Sequence, residues 1–234
     1  MKKRIILLLL VLGGLCACQA QGFVNLNFEN ASFVSDPNPQ NSMYPYAVYA
    51  SNAIPGWTAY VAGSPVADIF SNNAYLSGGC VAIIGTNNNL GFQPIQGKYC
   101  MLLAGDNYWI YTNTAGIGQI GQIPTNTVSL TFWGLLAGGN VSFNGQTLAV
   151  IQTDSTANYN IYAADISAYA GQTGQLLFTT SLGGISSIDN IQFSPSPVPE
   201  PHVFGLFALG SALIGLLRRD SRNRNFAGIS SAPA

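Results

Sequence analysis

The chain predicts an all-β fold, a sandwich or barrel set between two apolar terminal segments. Three observations carry that reading. Between residues 21 and 194 no stretch keeps a helical period. Short runs of β-branched and aromatic residues alternate there with clusters of Gly, Pro and Asn. Asn144-Gly145, flanked by Val141-Ser142-Phe143 and Gln146-Thr147-Leu148, is the dipeptide favoured in a two-residue type I′ hairpin turn.

The strands follow in order. Val24–Phe28 alternates apolar and polar residues and is expected to be the first strand. Asp36-Pro37-Asn38-Pro39-Gln40-Asn41 is a loop, because proline removes a ladder donor and Asn and Asp favour turns. Ile54-Pro55-Gly56-Trp57 turns the chain into a strand at Thr58–Ala62. Cys80–Ile84 and Lys98–Leu103 read as compact strands separated by an Asn-rich loop, Thr86–Asn89. Val128–Trp133 sets Val128, Leu130 and Phe132 on one face. The Asn-Gly hairpin pairs Val141 with Leu148, and Tyr159–Ile166, Gln175–Thr180 and Ser187–Phe193 complete the set. A length of this order suits one domain that buries most of its apolar surface without metal or disulfide support.

The two ends read as sorting segments. Lys2-Lys3-Arg4 followed by apolar Ile5–Leu12 has the pattern of a secretory signal peptide over residues 1–20. Small residues at Cys18 and Ala20 suit an ordinary cut that releases the chain from Gln21. Leu15-Cys16-Ala17-Cys18 also resembles a lipoprotein box with Cys18 as the lipidated residue. The ordinary cut is preferred, since a cysteine at the second position of that box is unusual and a lipid would duplicate a C-terminal anchor. At the other end, Val203–Leu217 carries no charge and would span about 23 Å as a helix, against about 30 Å of hydrocarbon. Arg218, Arg219, Arg222 and Arg224 follow it, a positive-inside pattern whose long stems can snorkel. Val198-Pro199-Glu200-Pro201, that apolar run and Arg218-Arg219 together resemble the PEP-CTERM sorting signal. The resemblance implies a bacterial protein, exported, anchored at the inner membrane by the C-terminal helix until an exosortase processes it near Glu200, then placed at the cell surface or outside it. The expected divisions are a β-domain over 21–194, a Pro-rich linker over 195–201, a sorting helix over 202–219 and a basic tail over 220–234.

Composition limits what the exported part can do. Between residues 21 and 197 the only basic residue is Lys98, against Glu29, Asp36, Asp68, Asp106, Asp154, Asp165 and Asp189, a net charge of −6. A domain with one lysine cannot neutralise phosphates, which excludes nucleic acid as a natural partner and disfavours anionic polysaccharide. The single histidine, His202, lies in the sorting segment. Ser-His-Asp and Cys-His catalysis and His-ligated zinc are therefore excluded from the exported domain. A glycosidase needs only two carboxylates, but the seven acids are scattered. High aromatic and β-branched content argues against disorder. Cys80 and Cys100 are candidates for a disulfide in an oxidising compartment, with two buried thiols as the alternative.

Asp165-Ile166-Ser167-Ala168-Tyr169-Ala170-Gly171-Gln172, then Gln175–Thr180 and Ser187–Phe193, resemble the final third of galactose-binding-like jelly rolls. Asn25-Leu26-Asn27-Phe28-Glu29 resembles the first strand of many carbohydrate-binding modules. The resemblance implies an antiparallel jelly-roll sandwich with its first and last strands adjacent. It also implies a structural calcium ion near Glu29 and Asp189, its shell completed by backbone carbonyls or Asn side chains; the alternative is that both carboxylates accept hydrogen bonds from loop amides. Sugar recognition combines aromatic faces with groups that fix hydroxyls. Asp106, Asn107, Tyr108 and Trp109 offer that mixture, with Trp57 and Tyr60, and Tyr44, Tyr46 and Tyr49, as weaker sets and core packing as the alternative for all. Trp133 sits out of phase with Leu130 and Phe132, which suits packing on an outer face without function. The reading that results is an exported, non-catalytic domain that binds neutral polysaccharide; a purely structural surface protein and, more weakly, a glycan hydrolase compete with it.

Overall fold

The structure is a computed structural model that describes residues 21–37, 45–74, 79–88, 90–106 and 113–198. Fourteen strands form two sheets: β1 Ala47–Tyr49, β2 Thr58–Val61, β3 Ser64–Val66, β4 Asp68–Ser71, β5 Cys80–Gly85, β6 Tyr99–Ala104, β7 Ala115–Gln122, β8 Ser129–Leu136, β9 Gly139–Phe143, β10 Gln146–Thr147, β11 Val150–Ser155, β12 Asn160–Asp165, β13 Thr173–Thr180 and β14 Ile185–Ser194. The larger sheet runs β1-β4-β5-β6-β14-β8-β12-β11 and the smaller β10-β9-β13-β7-β2-β3. Both expected terminal helices, with Pro199, Glu200, Pro201, Arg218 and Arg219, lie outside the described residues; Val198 is the last residue described.

Alternation along the strands builds the core. Leu130 and Phe132 of β8, Val141 and Phe143 of β9, and Leu176 and Phe178 of β13 face one another between the sheets. Phe178 meets Phe132 edge to face at 5.2 Å and Trp57 at 6.3 Å, and Trp57 meets Phe28 at 5.6 Å. The expected hairpin is present. Phe143 pairs with Gln146 across Asn144 and Gly145, which take φ of 48° and 76°, as a type I′ turn requires. Leu148 donates its amide to the Val141 carbonyl at 2.8 Å.

Three expectations are corrected. The sandwich is not wholly antiparallel, because β4 and β5 pair in parallel through Phe70–Ala82 and Ser71–Ile83. Val24–Phe28 is not a strand: Asn25 and Phe28 take φ of 50° and 58°, and Phe28 donates back to the Asn25 carbonyl at 3.3 Å. That turn drives the Phe28 ring into the core, where it is fully buried. Cys80 and Cys100 are not joined to each other. Cys80 lies opposite Ala104 and Cys100 opposite Ile84, so the two are four residues apart along the β5–β6 ladder, about 13 Å. A disulfide needs Cα atoms within about 7 Å.

One central strand escaped the sequence reading. β7 is rich in glycine, which resembles a loop, yet Gly116 and Gly118 are required by crowding. A Cβ at Gly116 would come within 2.8 Å of the Phe178 carbonyl oxygen, and one at Gly118 within 3.2 Å of the Tyr60 ring and of Leu177.

The Phe28→Ala variant is expected to lose about 3–5 kcal/mol of stability in urea unfolding, since its cavity opens beside Trp57 at the centre of the core. A loss below about 1 kcal/mol would show that this residue is not the plug described.

Candidate functional site

The outer face of the larger sheet divides into a covered half and an open half. Over β5 and β6 the outward residues Cys80, Ala82, Ile84, Cys100, Leu102 and Ala104 form a second apolar layer. The segment between those strands folds back over it, bringing Leu90 and Phe92 down onto the layer. Asn88 shapes this cover: its amide donates to the Gly85 and Phe92 carbonyls at 2.6 and 2.7 Å, and its oxygen accepts from the Leu90 amide at 2.9 Å. Burial among apolar groups, with Asp189 nearby, pushes the Cys100 thiol up to about 12, so it stays protonated and inert.

Asp189 of β14 marks the boundary. Its side chain is fully buried. One oxygen accepts from the amides of Ile95 and Gln96 at 3.2 and 2.8 Å, and the other from the Asn190 amide at 2.7 Å. Glu29 holds the next residues, its Oε1 accepting from the amides of Lys98 and Tyr99 at 2.7 and 3.0 Å. The two carboxylates expected to lie close together thus bind neighbouring parts of one turn. What they bind in the structure is one turn of backbone, as in the loop-amide alternative. These oxygens fit a calcium ion poorly. Both Asp189 oxygens face N–H donors, whose positive ends repel a cation, and among the described residues no three acidic, histidine or cysteine side chains gather. Burial is the largest influence on Asp189 and raises its carboxyl to about 6, with the Glu29 charge adding to it, although the three amides oppose the rise.

Beyond Asp189 the outer face is partly open: Gln192 is exposed, Thr131, Trp133 and Ile161 are half-buried, and Ala163 is buried. Thr131 and Trp133 of β8 face outward there, paired across the ladders with Ala163 and Ile161 of β12 and with Gln192 and Asp189 of β14. A register shift between Asp189 and Gln192 adds a bulge, with Asn190 at φ 47°, so that both residues stay on the outer face. The Gln192 side-chain amide donates to Asn190 Oδ1 at 2.8 Å. Trp133 is half-buried and stacks on Tyr159, with ring centroids 5.2 Å apart and planes 14° apart. The tip of the β11–β12 hairpin fixes Tyr159: Thr156 Oγ1 accepts its amide at 3.1 Å and donates to its carbonyl at 2.8 Å.

The described residues of the aromatic groups named from sequence fall elsewhere. Asp106 is buried, at 1% exposure. Asn107, Tyr108 and Trp109 lie outside the described residues, as does Tyr44. Trp57 is a core residue whose Nε1 donates to the Asn25 carbonyl at 3.0 Å. Tyr60 lies on the outer face of the smaller sheet, where its hydroxyl accepts from Gln175 Nε2 at 3.0 Å. Tyr49 bonds Asp36 Oδ1 at 3.2 Å and Tyr46 is exposed. Trp133 was placed correctly on an outer face; its partner Tyr159 was missed, because 26 residues separate them and only the β8–β12 register joins them.

No protein-family model and no curated protein matches the chain. Among solved structures it is similar to the carbohydrate-binding module TmCBM61, solved with β-1,4-galactotriose, at 14% identity, covering 74% of this chain and 98% of that one with a TM-score of 0.39. It is similar to the K2 cleaved adhesin domain of Lys-gingipain at 10% identity, covering 72% and 96%, with a TM-score of 0.41. It is also similar to the enzymatically active domain of the bacteriophage CBA120 tailspike protein 4, at 16% identity and a TM-score of 0.35; the match takes in 60% of this chain and spans 19% of the tailspike's length.

Two measurements bear on Asp189. Its carboxyl binds a proton more tightly in the folded chain than in the unfolded one, where the ordinary value is 3.8. Its contribution to stability is therefore full below about pH 4 and falls as pH rises to about 6. Melting midpoints across that window are expected to decline less in Asp189→Asn than in the parent chain. An equal decline would remove the assignment. Melts with chelator and with millimolar calcium are expected to coincide; a calcium-dependent rise that Asp189→Ala abolishes would show that an ion displaces the amides.

Proposed function

We propose that this chain is an exported, non-catalytic jelly-roll domain that binds neutral glycan on the open half of its larger sheet. The observation that carries the reading is the half-buried Trp133–Tyr159 stack, set beside Thr131 and Gln192 on one face. A sugar ring presents an apolar patch of C–H groups and a rim of hydroxyls. Aromatic faces match the first, and hydroxyl and amide side chains match the second. Charge supports a neutral ligand: seven acids accompany a single lysine between residues 21 and 197, so an anionic glycan would be repelled.

The ends of the chain support the rest of the proposal. Residues 1–20 carry the pattern of an export signal, and Val198-Pro199-Glu200-Pro201 with the Arg218-Arg219 pair suits processing by an exosortase-type enzyme at the inner membrane. The processed domain would then work at the cell surface or in an extracellular polysaccharide layer. Of the acids on this face, Asp189 beside Trp133 is committed to backbone amides, and Asp154 lies exposed opposite Ile161 two strands away.

A glycan array probed with the purified protein is expected to show binding to neutral polysaccharides and none to polyanionic ones. Trp133→Ala and Tyr159→Ala should weaken the best binder at least about tenfold while the chain stays folded. An array without a neutral binder, or a Trp133→Ala variant that binds as the parent does, would overturn the reading in favour of a structural surface protein.

A further inference from the structure

We propose that the turn Ile95–Tyr99 is a preformed wall of the glycan-binding face and that Gln96 on it selects among glycans. The inference rests on the functional reading above. The turn comes to the open face by way of Asp189. Asp189 pairs directly across the ladder with Trp133, and the Gln96 amide donates to Asp189 Oδ2 at 2.8 Å. Adjacent antiparallel strands are about 5 Å apart, so the Gln96 backbone stands within roughly 10 Å of the Trp133 backbone. That is the reach of one or two sugar rings. A glycan lying on the indole therefore abuts this turn on the β14 side. On the other side, past the Tyr159 hairpin, the sheet ends at β11.

The turn is held by more than its own chain geometry. Four of its amides, those of Ile95, Gln96, Lys98 and Tyr99, are bound by two carboxylates from opposite ends of the domain. Gly97 sits between the two pairs at φ 67°, and a Cβ there would collide with the Glu29 carboxyl group. The Gln96 side chain takes no part in this clamp, which uses only its backbone N–H. Gln96 is exposed, with one donor group and one acceptor to offer a hydroxyl. A residue rigidly placed and free of structural duty is suited to discriminate between epimers, because a mispaired hydroxyl loses a hydrogen bond that cannot be recovered by moving the wall.

Two sets of measurements on the full chain test this. In hydrogen exchange without glycan, the amides of Ile95, Gln96, Lys98 and Tyr99 are expected to be protected in the parent chain. Lys98 and Tyr99 should lose protection in Glu29→Ala and in Gly97→Ala and keep it in Glu29→Gln, which retains an acceptor oxygen. On a neutral-glycan array, Gln96→Ala is expected to weaken the preferred glycan by about threefold to tenfold and to compress its lead over the others, with the melting midpoint unchanged. Gly97→Ala and Glu29→Ala should scramble the ranking, and Glu29→Gln should restore it. A parent chain that binds no neutral glycan sinks the functional reading and the wall with it. A parent chain that binds, with all four variants keeping its ranking, sinks the wall alone.

Discussion

The domain depends on one short crossing between its sheets. Residues 22–30 leave β7, where Gln122 donates to the Gln21 carbonyl at 2.9 Å, and reach β14, where Ile191 donates to the Leu26 carbonyl at 3.0 Å. A crossing between sheets lies outside both ladders, so its partly buried backbone groups need partners of their own. Gln119, buried on β7, answers for Val24 at both groups: its oxygen accepts from the Val24 amide at 2.6 Å and its nitrogen donates to the Val24 carbonyl at 3.0 Å. The Trp57 indole answers for the Asn25 carbonyl. With those groups paired, the crossing can deliver Phe28 to the core and Glu29 to the turn beyond it. One segment therefore serves both the packing of the sandwich and the shape of its outer face.

The division of that outer face follows from where the covering segment stops. Over β5 and β6 the outward residues are apolar and need shelter, which the loop supplies at Leu90 and Phe92. Over β8 and β12 the outward residues are Thr131, Trp133, Ile161 and a buried Ala163, a mixture less apolar than that over β5 and β6. Asp189 lies between the two regions and stops the cover by engaging its backbone. Burying a carboxylate there is unfavourable, as its raised proton affinity shows. Three amide donors make it tolerable without cancelling the cost.

How much of this was legible in the sequence depended on how far apart the deciding partners lay. The hairpin at Asn144-Gly145 was legible because its turn chemistry is local, and β8 because Leu130 and Phe132 alternate with polar neighbours. Glu29 and Asp189 were singled out only through resemblance, with loop amides as the alternative; which amides they bind was not legible, since those come from a third segment. Val24–Phe28 misled because its alternation is real but its conformation is set by Gln119 and Trp57. β7 was hidden by glycines that exist to admit Tyr60 and the Phe178 backbone. The cysteines looked paired by compartment and proved separated by register. Trp133 was legible as outward-facing; the ring that completes its platform was not, because no local rule ties residue 133 to residue 159.

The position of the last strand has a consequence for how the chain is made. Among the described residues β14 is the last strand in sequence, yet it is central in the larger sheet, hydrogen-bonded to β6 on one side and β8 on the other. Until residues 185–194 emerge, the sheet exists only as two unjoined leaves, β1-β4-β5-β6 and β8-β12-β11, each with a long unsatisfied edge. The crossing at residues 22–30 likewise waits for Ile191 as a partner. A chain still in transit therefore cannot close prematurely, and closure becomes a single late event that needs both ends of the domain. The same arrangement leaves it most vulnerable to pairing with its neighbours in the interval before the last ten residues of β14 arrive.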